Sequence, residues 1–86
     1  LTRVYRYMKA KIIVTLKKNV LDPQGKTVQN ALKHVGFKSV EDVRIGKYIE
    51  VEFEGTDREA AMKELRDAAH KILSNPVIEE YSIELL

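Results

Sequence analysis

A chain of 86 residues without cysteine has no disulfide framework, no thiolate nucleophile and no thiolate metal site. Fifteen basic residues against thirteen acidic ones leave a net charge of +2, not the clustered basic excess of a nucleic-acid binder. No apolar run approaches the ~20 residues of a membrane-spanning helix, and the opening LTRVYRY lacks the apolar centre of a signal peptide.

The length is that of one domain with a core that is marginal by itself, and such chains commonly gain stability by oligomerising. Met8 heads MKAKIIVTL, which has the form of a natural start. Residues 1–7 are therefore expected to be an N-terminal extension or an expression remnant, and residues 8–86 the single domain.

From Ala10 the chain alternates. Ala10, Ile12, Val14 and Leu16 share one face; Lys11, Ile13, Thr15 and Lys17 share the other, the period of a β-strand. In VLDPQG, Asp22 suits a helix cap and Pro23 the first helical position. Val28, Ala31, Leu32 and Val35 then form one apolar stripe, expected to be buried, and Gly36 ends the helix as a left-handed cap. VEDVRI and YIEVEFE read as two further strands. Gly46-Lys47 between them reads as a two-residue hairpin. Thr56-x-x-Glu59 predicts a capping box for a second helix, whose inner face is Ala61, Leu65, Ala68, Ala69 and Ile72. Asn75-Pro76 stops that helix, and VIEEYSIEL supplies a last strand with Tyr81, Ile83 and Leu85 on one side.

The order β-α-β-β-α-β predicts an α+β, ferredoxin-like fold: a four-stranded antiparallel sheet with two helices on one face. The other face is open. It should carry Lys11, Ile13, Thr15 and Lys17 beside Glu50, Glu52 and Glu54, lysines opposite glutamates across the ladder. Such a face is either solvated, with ion pairs worth ~0.2–1 kcal/mol each, or a surface for another sheet.

No constellation for catalysis emerges. His34 and His70 lie beside the helical stripes as boundary residues. The acidic residues are spread along the exteriors, without metal-ligand spacing, and the glutamates of YIEVEFE should stay ionised beside lysines. DPQGK is no phosphate loop. RNA-recognition modules share this element order and place stacking aromatics on the third strand. Here Glu50 occupies a stacking position and Ile13 replaces the aromatic of the first strand, which excludes that reading.

Three separated stretches, TLKKNVLDPQGKTVQNAL, VEDVRIGKYIEVE and ILSNPVIEEY, resemble in order those of the PurS family, the small subunit of phosphoribosylformylglycinamidine (FGAM) synthase, and the resemblance covers residues 8–86. It implies a non-catalytic adaptor in de novo purine biosynthesis. The implied partners are an ATP-dependent synthetase subunit, which would hold ATP and magnesium, and a glutaminase subunit that releases ammonia. The chain would be part of a C–N ligase while holding no catalytic residue, cofactor or metal of its own. It would act in the cytoplasm as a homodimer or higher even oligomer, without nucleic acid or membrane. Asp22, Pro23, Gly25 and Gly46 have sufficient cause in local geometry. Gln24, Arg44, Lys47 and Asn75 are the candidate subunit-interface residues, with Arg44 and Lys47 flanking the expected hairpin tip. The alternative is a free-standing regulatory module binding a small metabolite, which would need a concave pocket with convergent polar groups.

Overall fold

The computed structural model describes residues 7–86. Strand β1 (Tyr7–Leu16) is followed by helix α1 (Pro23–His34), strand β2 (Gly46–Glu54), helix α2 (Arg58–Ala68) continuing into a π-helical turn (Ala69–Leu73), and strand β3 (Glu79–Leu85). The strands form one antiparallel sheet in the order β2-β1-β3. Its register sets Ile12 opposite Ile49 on one side and Ile83 on the other, with Ala10 between Val51 and Leu85.

β1 is central because its inward residues are apolar and compact. Ile12 and Val14 are completely buried, and Ala10, Leu65 and Ala69 complete the core. α2 covers this face through Ala61, Leu65 and Ala69. At its start, Arg58 donates from both terminal guanidinium nitrogens to the carbonyls of Leu85 and Leu86, fastening the C-terminal strand. Ile49, Val51 and Phe53 point inward from β2 but are only half-buried.

The sheet differs from the four-stranded expectation. VEDVRI is not a strand, and among the described residues three strands pair. The backbone groups that would have formed a ladder are used elsewhere: the Ile45 amide donates to the Asp22 carboxylate at 2.7 Å, and the Glu41 carbonyl accepts from the Gln29 side chain at 2.8 Å. There is accordingly no hairpin at Gly46-Lys47. Gly46 opens β2, and it lacks the positive φ that a turn with glycine first requires. Its need for glycine is one of space, since a Cβ there would stand 2.6 Å from the Val14 carbonyl oxygen.

α1 is likewise displaced from its expected place over the sheet. Asp22 caps it by accepting from the Gly25 amide at 2.9 Å, Pro23 is its first residue, and Gly36 (φ 109°) follows its end. There the Phe37 and Gly36 amides donate to the Leu32 and Lys33 carbonyls, the paired bonds of a Schellman ending. The residues it buries, however, are Gly25 and Gln29. Val28, Ala31 and Val35 of the expected inner stripe are exposed, Val35 at 69 %, and Leu32 is half-buried. The helix is anchored by its small and polar side, so its apolar side faces out.

Two smaller corrections concern α2. Its cap is Asp57, whose carboxylate accepts from the Ala60 amide at 3.1 Å, rather than Thr56. A carboxylate cap one residue further on takes the Ala60 amide in place of the Glu59 amide that a Thr56 cap would have held, and it complements the helix dipole. The wider π turn then rotates the last residues: Leu73 packs against the core, and Ile72, expected inside, is 82 % exposed. Ser74 closes the turn by donating to the Ala69 carbonyl from both amide and hydroxyl.

Candidate subunit interface

β1 runs antiparallel to both neighbours, so the end of β1 and the starts of β2 and β3 lie together. The three particular stretches of the sequence are the connections at this one end. The Lys17 amide donates to the Ile78 carbonyl at 2.8 Å, joining the segment after β1 to the turn before β3. Arg44 reaches across from the segment before β2 and donates to the carbonyls of Val20 (2.7 Å) and Lys18 (2.9 Å).

Asp22 is the centre of the arrangement. It is buried, and its two carboxylate oxygens accept from the amides of Gly25 and Ile45. Those amides, and the Arg44 guanidinium nearby, hold its carboxyl below the ordinary value. Gly25 packs so closely that a Cβ there would lie 2.1 Å from the Val43 carbonyl oxygen. Glycine is required here by the approach of two backbones.

Around this centre lies an open cleft of 250 Å³, bordered by Leu16, Asp22, Gln24, Ile45, Lys47 and Glu79 among others. Two of the four candidate residues, Gln24 and Lys47, thus border the same cleft, and their side chains make no hydrogen bond among the described residues. The other two have structural work that the sequence did not reveal. Arg44 ties two segments together and sits 3.5 Å from Asp42. Asn75 makes the turn before β3: its side-chain oxygen accepts from the Val77 amide, and its carbonyl accepts from the Ile78 and Glu79 amides. Leu21 and Val77 are strongly exposed in the same two connections, 74 % and 78 %. Neither had been singled out, although an apolar residue close to the proline of a turn, two positions before Pro23 or directly after Pro76, is the signal that marks them.

The open face of the sheet has the expected register. Lys9 stands opposite Glu52, and Lys11 stands between Glu50 and Glu84. Among the described residues none of these pairs closes to a salt bridge; the Tyr48 hydroxyl donates to Glu50 instead. No group of His, Asp and Glu among the described residues is placed to hold a metal ion, and no described helix is long and apolar enough to cross a membrane.

Comparison with known proteins identifies this arrangement. The family described as PurS, phosphoribosylformylglycinamidine (FGAM) synthase, matches residues 9–86. The chain belongs to the PurS family. The phosphoribosylformylglycinamidine synthase subunit PurS of Bacillus subtilis is 46 % identical over 77 residues, 90 % of each chain. That of Methanocaldococcus jannaschii is 42 % identical over 77 residues, 90 % of this chain and 93 % of the relative. Among solved structures, Bacillus subtilis PurS superposes with a TM-score of 0.80 at 44 % identity, covering 92 % of this chain and 98 % of that one. A chain of PurLQS from Thermotoga maritima superposes with a TM-score of 0.85 at 34 % identity, covering 94 % and 99 %.

Proposed function

We propose that this chain is the adaptor subunit of a phosphoribosylformylglycinamidine synthase. It would join an ATP-dependent synthetase subunit to a glutaminase subunit, support passage of ammonia between them, and act in the cytoplasm as a homodimer or higher even oligomer. The observation that carries this reading is full-length similarity to a PurS chain from a solved PurLQS assembly. The chemistry of the chain supports it: neither histidine is placed with a nucleophile and an orienting acid, and the buried carboxylate of Asp22 is spent on backbone amides. A coupler needs surfaces, and the junction end supplies one.

Gln24 and Lys47, whose side chains make no hydrogen bond among the described residues, are the residues proposed to meet a partner subunit. Arg44 and Asn75 are proposed to contribute by holding the connections in shape. A metabolite-binding module would need polar groups converging on a pocket. Of the polar side chains around this cleft, the carboxylates of Asp22 and Glu79 accept from backbone amides.

The test is reconstitution of three purified subunits, with this chain present or omitted, on glutamine or on free ammonia. Omission is expected to abolish glutamine-dependent product while sparing much of the ammonia-dependent reaction, which needs no transfer between subunits. Full glutamine-dependent turnover without the chain would sink the adaptor reading.

A further inference from the structure

Residues 17–45 leave the sheet at the end of β1 and return to it at the start of β2, and α1 within them packs extensively against neither the strands nor α2. They form an arm beside a body made of β1 and residues 46–86. The molecule is accordingly drawn out to 61 × 29 × 15 Å. Its radius of gyration is 17.6 Å, where a compact chain of this length would have about 12 Å. Thr15 stands opposite Gly46 in the register, so the two legs of the arm leave the body side by side. The direction of the arm is decided at that joint.

Two parallel legs can swing about the line through their feet unless they are tied to each other and to a third point. The Lys17 amide supplies the third point, bonding to the Ile78 carbonyl on the β3 side at 2.8 Å. Arg44 ties the legs together by donating from the returning leg to the Val20 and Lys18 carbonyls of the outgoing one, at 2.7 and 2.9 Å. Its remaining guanidinium nitrogen lies 3.5 Å from Asp42, which aims the fork from behind. Asp22 adds a bond to the Ile45 amide, and at the second foot Gly46 leaves no room for a Cβ beside Val14 and Thr15. A planar fork fixes direction as well as distance, which the point charge of a lysine does not. These contacts make residues 17–45 a braced arm.

We propose that Arg44 is a positioning residue for the glutamine-dependent reaction: its fork fixes the angle between arm and body, and through that angle the alignment of the two partner subunits. The inference rests on the adaptor reading above and adds to it what the shape of the chain must do. An adaptor that only tethers its partners raises their effective concentration and tolerates a loose joint. Transfer of ammonia between two sites is stricter, because a misplacement of about 1 Å far from the chemistry can cost on the order of 100-fold. Ammonia supplied from solution reaches the consuming site whatever the alignment. Hydrolysis of glutamine by water yields glutamate and ammonia one for one, so ammonia that escapes leaves glutamate in excess of product. A loosened joint thus separates assembly from transfer: the partners stay bound and glutamine is still hydrolysed, but its nitrogen is lost.

Arg44→Lys keeps the charge and lacks the fork, and the absence of native cysteine allows its effect on the joint to be seen directly. Spin labels are placed at Val35→Cys on the arm and Glu84→Cys on the body, both exposed, and the labelled chain is diluted into excess unlabelled chain. One narrow distance distribution is expected, and a broader one when Arg44→Lys is added. In the reconstituted three-subunit complex, Arg44→Lys is expected to retain capture of both partners while glutamine-dependent product falls at least about tenfold further than ammonia-dependent product, with glutamate in excess. Equal loss on the two nitrogen sources, loss of capture, or an unchanged distance distribution would each overturn the positioning role. None of these results touches the adaptor reading, which falls only if omission of the chain leaves glutamine-dependent turnover intact. Should Arg44→Lys fail to fold by circular dichroism, Asp22→Asn loosens the same joint at the Ile45 amide and carries the same expectations.

Discussion

Asp22 joins three roles in one side chain: helix cap, clasp for the segment before β2, and counter-charge to Arg44. Because folding lowers its carboxyl below the ordinary 3.8, the unfolded chain takes up the proton first. The stability it contributes is complete above the unfolded value and drains away as pH falls through the folded one. Asp22→Asn lacks this dependence and loses the acceptor for Ile45. Its melting temperature is expected to lie below that of wild type near neutral pH, with the gap closing on acidification below 3.8; a gap independent of pH would refute the assignment. Gly25→Ala is the steric counterpart. A methyl group 2.1 Å from a backbone oxygen must push two segments apart, at a cost of about 1–3 kcal/mol or more, read as a lowered denaturation midpoint. Lys47→Glu should do neither. It is expected to keep the wild-type melting temperature yet weaken assembly with the partner subunits in a pull-down, whereas Arg44→Glu should lower the melting temperature because it removes two bonds to the backbone.

At the scale of elements, alternation and capping were legible and the destination of each apolar face was less so. β1, the strand at YIEVEFE and the strand at EEYSIEL follow from period-two patterns with inward apolar residues, and α1 from Asp22-Pro23 and Gly36. Segment 40–45 was misread because Val43 and Ile45 alternate as a strand would, while the groups that claim its backbone, Asp22 and Gln29, lie 12–23 positions away. The stripe on α1 was correctly seen as apolar and wrongly placed inside, since periodicity reports a face but not what covers it. Candidate residues fared similarly. Gln24 and Lys47 share one cleft, whereas the tasks of Arg44 and Asn75 depend on carbonyls and turns that no spacing rule encodes. The π turn is the sharpest case, because one extra residue in a turn exchanges Ile72 for Leu73 in the core. It leads to a paired prediction. Leu73→Ala should cost about 2 kcal/mol by leaving a cavity, and Ile72→Ala should change the stability of the dilute chain by under about 0.5 kcal/mol. Chemical denaturation at low protein concentration measures both, and the reverse order would show that the helix continues with α geometry.

On the whole-molecule scale, the chain is a thin three-stranded sheet with one helix on it and a braced arm beside it, and charge is divided between these parts. The arm is basic and the body acidic, by six against three and seven against ten side chains. Within one molecule that division contributes little, because the arm is held away from the body. In the proposed self-association it would draw the basic arm of one copy, residues 17–45, toward the acidic remainder of another, with Lys26 and Lys33 of α1 among the charges that act. Exposed charges interact over a Debye length of about 8 Å at physiological ionic strength, and added salt shortens that reach. The apolar stripe is indifferent to moderate salt, so association should weaken without vanishing. Sedimentation equilibrium across a salt series is therefore expected to give a dimer dissociation constant that rises with ionic strength and levels off. The double variant Lys26→Glu, Lys33→Glu should start from a higher value and show a flatter slope, because the attraction that salt screens has been removed. A dissociation constant unchanged by salt in wild type would mean that the division of charge between arm and body has no part in assembly, and that the apolar contact acts by itself.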